Sequence, residues 1–261
     1  MPKASSAAQL NRMSAEPGLP TGYLHSVETG AAVDGPGMRF IFFVSGCQFR
    51  CQYCHNPDTW KLHNGRPLSL DEAMAEVRPY KGFLRMAGGV TISGGEPLMQ
   101  APFVGALFQR IKSELGLHTA LDTQGFLAGN LPDAWFDPVD LVLLDIKQID
   151  PEKHLKLTGQ ALQPTLDFAK RLVRLGKKMW IRYVLVPDIT DNDVDILTLA
   201  DFVVSLGPAV ERVEVLPFHQ MGAHKWESLG IDYPLARTPT PTAEQVQRAR
   251  SLLASRGLLV T

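Results

Sequence analysis

Cysteine is nearly absent from this chain. It occurs three times in 261 residues, as Cys47, Cys51 and Cys54. An odd number so tightly clustered excludes a disulfide framework. Residues 1–22 contain no continuous apolar core, so no secretory signal is read there and the expected compartment is the reducing cytoplasm. An excess of one charge is missing too: 26 Lys+Arg stand against 27 Asp+Glu, a formal net charge of −1. That balance offers no electrostatic footprint for nucleic acid or anionic lipid, so neither is expected as a partner. No stretch reaches the roughly 18 apolar residues that a membrane-spanning helix requires. Hydrophobic residues at 45% and charged residues at 20% exclude a disordered or collagen-like chain. No solenoid repeat is present, and no low-complexity linker follows residue 22. The reading is one domain over 23–261, preceded by a small, polar, Pro/Gly-containing extension over 1–22 that is expected to be disordered.

Short, almost continuous apolar runs recur along that domain. They are 39–45 (RFIFFVS), 89–93 (GVTIS), 119–122 (TALD), 141–146 (LVLLDI), 179–186 (MWIRYVLV) and 213–218 (VEVLPF). Such runs read as strands buried on both faces, as in a parallel sheet. Helical patterns lie between them. Ser69 with Glu72, and Thr242 with Gln245, form capping boxes. Apolar positions at helical spacing over 165–175 and 192–206 stop at Gly176 and Gly207, and the last helix stops at Gly257. Pro79 sets an uncertain end to the helix that begins after Ser69. Six strands alternating with helices imply an α/β protein, either a complete or partial βα barrel or a doubly wound sheet.

Chemistry-bearing residues gather where these strands end: Gly46-Cys47, Gly94-Gly95-Glu96, Asp122-Thr123, Asp145-Ile146-Lys147 and His219. In parallel α/β folds those ends share one rim, which is where active sites are built.

Cys47-x3-Cys51-x2-Cys54 sits in the loop after the first of these strands. Three thiolates at this spacing can close around one metal centre. A zinc site completed by His55 is one reading, although adjacent Cys54 and His55 would strain to reach a single ion. Cys51-x2-Cys54-His55 also matches a c-type haem attachment, and unliganded core cysteines are a third possibility. The fourth is a [4Fe–4S] cube. Such a cube normally takes four thiolates, and this chain has only three, so one iron would stay open for a small molecule.

The last spacing resembles that of the radical S-adenosylmethionine (SAM) superfamily. Val33–Trp60 (VDGPGMRFIFFVSGCQFRCQYCHNPDTW) is similar to its glycyl-radical-enzyme activases. So are Ser93–Glu96 (SGGE), Leu121–Phe126 (LDTQGF), Leu143–Lys147 (LLDIK), Trp180–Val186 (WIRYVLV) and Leu216–Trp226 (LPFHQMGAHKW). The resemblance implies a partial (β/α)6 TIM-like barrel whose open lateral side admits a protein substrate. It implies a [4Fe–4S] cluster on Cys47, Cys51 and Cys54, with SAM on the open iron. Reductive cleavage of SAM to methionine and a 5′-deoxyadenosyl radical would follow, and the radical would take a Cα hydrogen from a glycine of pyruvate formate-lyase. Reduced flavodoxin or ferredoxin would supply the electron, and the chain would act as a monomer without any acid or base residue.

By the same resemblance, Tyr53, Cys54, His55, Gly94, Gly95, Glu96, Asp145, Ile146, Lys147 and His219 would contact SAM. Asp122, Thr123 and Asp145 would hold a monovalent cation, sodium or potassium, although Leu143 stands where the family often has Met. Asp34 and Arg182 would hold the glycine-bearing loop of the partner. His224, five residues beyond His219, is read as no second metal ligand. The cysteine-rich ferredoxin-like insert of many relatives has no counterpart here. The alternatives are an activase of another glycyl-radical enzyme, a radical SAM modifier of peptide or RNA, and a zinc- or cluster-binding module without catalysis.

Overall fold

The structure, a computed structural model, describes residues 19–261; the extension expected over 1–22 lies outside the described residues up to position 18. Residues 19–21 lead into β1 (Gly22–Ala31), which is followed by β2 (Met38–Val44) and β3 (Arg66–Leu68). Then come α1 (Leu70–Val77), α2 (Lys81–Ala87), β4 (Gly88–Gly94), α3 (Ala101–Arg110), β5 (His118–Thr123) and β6 (Leu141–Asp145). The chain continues through α4 (Pro151–Thr158), α5 (Gln163–Arg174), β7 (Lys178–Leu185), α6 (Asp193–Ser205), β8 (Val210–Pro217), α7 (Ala223–Ser228) and α8 (Ala243–Ala254).

All eight strands form one sheet in the order β3-β1-β2-β4-β5-β6-β7-β8. From β2 through β8 every pairing is parallel, and these six strands are the six apolar runs of the sequence. Among the described residues no ladder joins β3 to β8, so the sheet is an unclosed, partial TIM-like barrel. Two strands escaped the sequence reading. β1 runs antiparallel to β2, and the three-residue β3 runs antiparallel to β1. β1 is half polar and partly exposed, so it lacks the doubly buried signature of the others.

The period of two along each strand separates two interiors. Phe40, Phe42, Val90, Ile92, Val142, Leu144, Ile181 and Val215 point outward and pack with helix residues such as Leu107, Phe108, Leu172, Leu199 and Leu253. Full burial of each such side chain contributes about 1.5–3 kcal/mol. The alternate positions point into the lumen. There Ala120, Leu141, Leu143 and Trp180 form a small separate cluster. Above it the lumen turns polar.

The helix signals hold in detail. Ser69 and Thr242 each accept from the backbone N–H three residues on, and the Glu72 and Gln245 side chains return the bond. Pro79 ends α1 at Val77, and a single 3-10 turn over Arg78–Tyr80 restarts the chain as α2. Gly176, Gly207 and Gly257 follow their helices with φ of +65°, +64° and +80°, where a side chain would be strained.

Candidate active site at the strand ends

The cysteine loop leaves β2 at Gly46 (φ +93°). Its backbone is tied on every side. Gly46 N donates to Thr59 O at 2.6 Å and Cys47 N to Trp60 O at 3.2 Å. Arg50 N and Gln52 N donate to Thr158 O and Leu157 O at the end of α4, at 2.7 and 3.1 Å. Trp226 Nε1, from α7, donates to Cys54 O at 2.9 Å, and Arg50 Nη1 donates to Cys47 O at 2.6 Å. The backbone is therefore satisfied while all three thiols stay free. Burial, reinforced by Cys51 and Glu96, raises the Cys47 thiol; burial also pushes Cys51 up to about 12 against the pull of Lys147, and raises Cys54 against a hydrogen bond from the Asn56 backbone. Thiols so disposed become thiolates only when a cationic centre sits among them.

No three Cys, His, Asp or Glu side chains among the described residues converge as the ligands of a single ion would. A mononuclear zinc site built on Cys47, Cys51, Cys54 and His55 is thus disfavoured. A cube presents a separate iron to each thiolate, so its donors need not meet at a point. The donor set, three thiols facing one cavity, suits that group.

Gly94 and Gly95 bring the end of β4 against the root of the loop. Gly95 N donates to Val44 O at 2.8 Å and Glu96 N to Gly46 O at 2.7 Å. Gly94 has φ +119°, and a Cβ on Gly95 would collide with the Gly46 carbonyl beside Cys47. The Gly-Gly pair is thus required by backbone contact between two strand ends, and both residues also line the cavity.

Glu96 departs from its expected place. It is fully buried and faces away from the cavity. Its Oε1 accepts from Leu98 N (2.9 Å) and Thr123 Oγ1 (2.6 Å), and its Oε2 accepts from Gln124 N (3.2 Å). Burial nevertheless pushes its pKa up to about 7. Ile146 is also buried away from the cavity, packed in the outer core. The His219 side chain lies behind His55: the ring centroids are 4.1 Å apart, and His55 Nε2 donates to the His219 carbonyl at 3.0 Å. Burial, and then His219, lower the His55 pKa. His224 is exposed, bonded to Met221 O, and makes no pair with His219.

The other expected residues meet. Asp34, the three cysteines, Tyr53, His55, Gly94, Gly95, Asp122, Thr123, Asp145, Lys147 and Arg182 line one cavity of ≈ 280 Å³. Arg182 reaches across it, with Nη2 3.1 Å from Asp34 Oδ1 and Nη1 3.1 Å from Asp122 Oδ2. Its Nε side faces Glu214 at 3.5 Å, and Glu214 in turn meets Arg212 at 3.0 Å. Burial alone would lower the Arg182 pKa, but Asp122, Asp145, Asp34 and Glu214 more than offset it. Asp122 is pushed up to about 6 by burial, against the pull of Arg182, and its Oδ2 also accepts from Ser93 Oγ at 2.6 Å. Lys147 Nζ lies 2.7 Å from Asp145 Oδ2 and 5.8 Å from the Tyr53 ring centroid. Thr123 Oγ1 is committed to Glu96 and accepts from Gly125 N at 2.9 Å.

Phe43, Phe49, Asn56, Ser93, Gln124, Val184 and Leu216 also line the cavity and were not singled out from the sequence. Asn56 and Ser93 lie inside quoted motifs, and their position next to Cys54-His55 and Gly94 was an available signal. Val184 and Leu216 look like any strand residues.

A family model described as the radical SAM superfamily matches residues 41–200. The chain is 47% identical over 236 residues to the pyruvate formate-lyase-activating enzyme of Staphylococcus epidermidis, covering 87% of this chain and 93% of that one. A solved domain of a pyruvate-formate lyase-activating enzyme from Bacteroides vulgatus aligns with a TM-score of 0.55 at 26% identity, over 67% of this chain and 98% of that chain. SuiB of Streptococcus suis, bound to its precursor peptide SuiA, aligns with a TM-score of 0.64 at 18% identity over 87% of this chain and 48% of that chain, a likeness of fold alone.

Proposed function

The chain belongs to the radical SAM superfamily, within the pyruvate formate-lyase-activating enzymes, and we propose that it installs a glycyl radical in pyruvate formate-lyase. The observation that carries this reading is the set of three free thiols opening onto a polar cavity in a chain with no fourth cysteine. Cys47, Cys51 and Cys54 would hold a [4Fe–4S] cluster. When bound, that cluster supplies the electron that cleaves SAM to methionine and a 5′-deoxyadenosyl radical, which takes a hydrogen from the partner's glycine.

The chain's own residues bind, orient and shield. Gly94 and Gly95 offer close-approach backbone beside Cys47, and Lys147, held by Asp145, offers a cation to a carboxylate. Tyr53 and His55 offer ring faces to the nucleoside. Glu96, Ile146 and His219 act from behind, through Thr123 and Gln124, the outer core, and His55 respectively. Phe43, Phe49, Val184 and Leu216 keep water from a primary alkyl radical, which would otherwise be quenched by any nearby hydrogen donor. No side chain is assigned an acid or base role.

Asp34 and Arg182 would hold the glycine-bearing loop. A sodium or potassium ion is assigned to Asp122, Thr123 and Asp145, supported by the buried Asp122 Oδ1, which has no partner. A reduced flavodoxin or ferredoxin is the proposed donor, the chain is proposed to act as a monomer, and the reading places it in the cytoplasm. No helix among the described residues is long and apolar enough to cross a membrane.

The test is electron paramagnetic resonance of pyruvate formate-lyase after anaerobic incubation with this protein, SAM and reductant. A glycyl-radical signal is expected. Its absence, while another glycyl-radical enzyme gains one, would reassign the partner.

A further inference from the structure

Two of the quoted motifs leave a charged residue without a role: Asp58, beyond the cysteines, and Lys225, beyond His219. The structure brings the two together. α7 follows β8 at one end of the sheet, whereas residues 54–60 lie between β2 and β3 at the other. Contacts between these segments cross the seam of the barrel. Gly222, just ahead of α7, packs so closely that a Cβ would lie 2.6 Å from His55 Cα. Trp226 Nε1 donates to Cys54 O at 2.9 Å, and the Trp226 ring stands edge-to-face with Trp60 at 5.1 Å between centroids.

Lys225 makes the charged part of this crossing. Its Nζ donates to Asn56 Oδ1 at 2.7 Å and lies 3.2 Å from Asp58 Oδ2. Asp58 Oδ2 is also 2.8 Å from Nε2 of His25 on β1, whose Nδ1 meets Ser26 Oγ at 2.8 Å. Burial alone would raise the Asp58 pKa, but the bonds from His25 and Lys225 hold it below the usual carboxylate range, so the carboxylate is charged at neutral pH. An ammonium has donors and no acceptor, so Lys225 also fixes which end of the Asn56 amide faces it. Asn56 lines the cavity, two residues beyond Cys54. A continuous line of polar contacts runs from α7 through Asp58 to β1.

Resting on the functional reading above, we infer that Lys225 is a positioning residue: by holding Asn56 and Asp58 it closes the rim end of the seam over Cys54 and sets the charge around the cluster. A half-buried ion pair is weak by itself. This one draws its weight from its place beside a cluster ligand. The potential of an iron–sulfur cluster follows the net charge, the hydrogen bonds and the solvent exposure around it. Removing the Lys225 cation favours the oxidised cluster and lowers the potential, whereas removing the Asp58 anion raises it. A purely structural clasp behaves differently. Losing either partner would loosen the same loop and wet Cys54, so both changes would move the potential the same way.

The test is a redox titration of the anaerobically reconstituted protein, followed by electron paramagnetic resonance. Hydrogen–deuterium exchange of residues 54–60, read by mass spectrometry, accompanies it. Lys225→Met should shift the midpoint to more negative potential, and Asp58→Asn to more positive. Lys225→Arg, which keeps the charge and the donors, should stay at the parental potential. The double variant Lys225→Met/Asp58→Asn, with both charges gone, should return towards the parental value. Exchange across residues 54–60 should speed up about tenfold in Lys225→Met and stay parental in Lys225→Arg. Shifts of the same sign in Lys225→Met and Asp58→Asn, or no shift in either, would overturn the electrostatic role. Parental exchange in Lys225→Met would overturn the closure of the seam. If the parent protein assembles no cluster, the functional reading itself fails, and the exchange measurement still decides whether Lys225 closes the seam.

Discussion

Arg182 and Asp122 meet across the barrel lumen, Nη1 to Oδ2 at 3.1 Å, although their strands, β7 and β5, are separated in the sheet by β6. The same guanidinium holds Asp34, from the turn before β2, so one side chain ties three parts of the wall together. Removing it would leave Asp122 and Asp34 buried without compensation. Arg182→Ala should therefore lower unfolding stability by about 3–5 kcal/mol, read as a shift in the urea midpoint. Arg182→Lys restores a charge but not the fork that reaches two carboxylates, so it should recover only part of the loss.

Glu96 sets a pH dependence. Its folded pKa of about 7 lies above the ordinary 4.5, so the folded state binds this proton more tightly than the unfolded chain does. The stability contributed by this group is full below 4.5 and declines as the pH rises through about 7. Glu96→Gln should flatten the plot of unfolding free energy against pH across that window. An unchanged slope would remove Glu96 as its source.

Gly95→Ala tests the contact between the strand ends. The added methyl collides with the Gly46 carbonyl beside Cys47, so β2 and β4 must part at the root of the loop. Overpacking of this kind costs about 1–3 kcal/mol. The expected result is a folded protein with reduced iron per chain after reconstitution, measured by colorimetric iron and sulfide determination. Full iron loading would show that the loop tolerates the displacement.

Cys51→Ala should abolish the brown cluster absorption and SAM cleavage together, since the chain has no fourth thiol to substitute. Chelation of iron from the parent protein should give a colourless protein that keeps its far-ultraviolet circular dichroism. The loop backbone is held by Trp226, Arg50 and the end of α4 and does not depend on the metal for its shape.

The six parallel strands were legible because burial on both faces writes them as unbroken apolar runs, and the rim followed from where those runs end. β1 was not legible, since a half-exposed strand such as Gly22–Ala31 alternates too irregularly to stand out. The cysteine loop was readable from spacing, and Arg182 from being a lone charge in an apolar strand. The direction of the Glu96 carboxylate was not readable. A buried acid and a ligand-facing acid look alike in sequence, and only the three donors around it distinguish them. Gln124 was hidden for the reverse reason: nothing in a polar residue after a strand reveals that its oxygen lacks a donor.

The sheet that begins at β3 and ends at β8 without joining has a topological consequence. A sealed tube can be threaded only by a free chain end, whereas a slit tube accepts a bight pushed in sideways with both its ends still anchored in a folded body. An enzyme with such a seam can work on an internal glycine of an intact protein without first unravelling that protein to find a terminus.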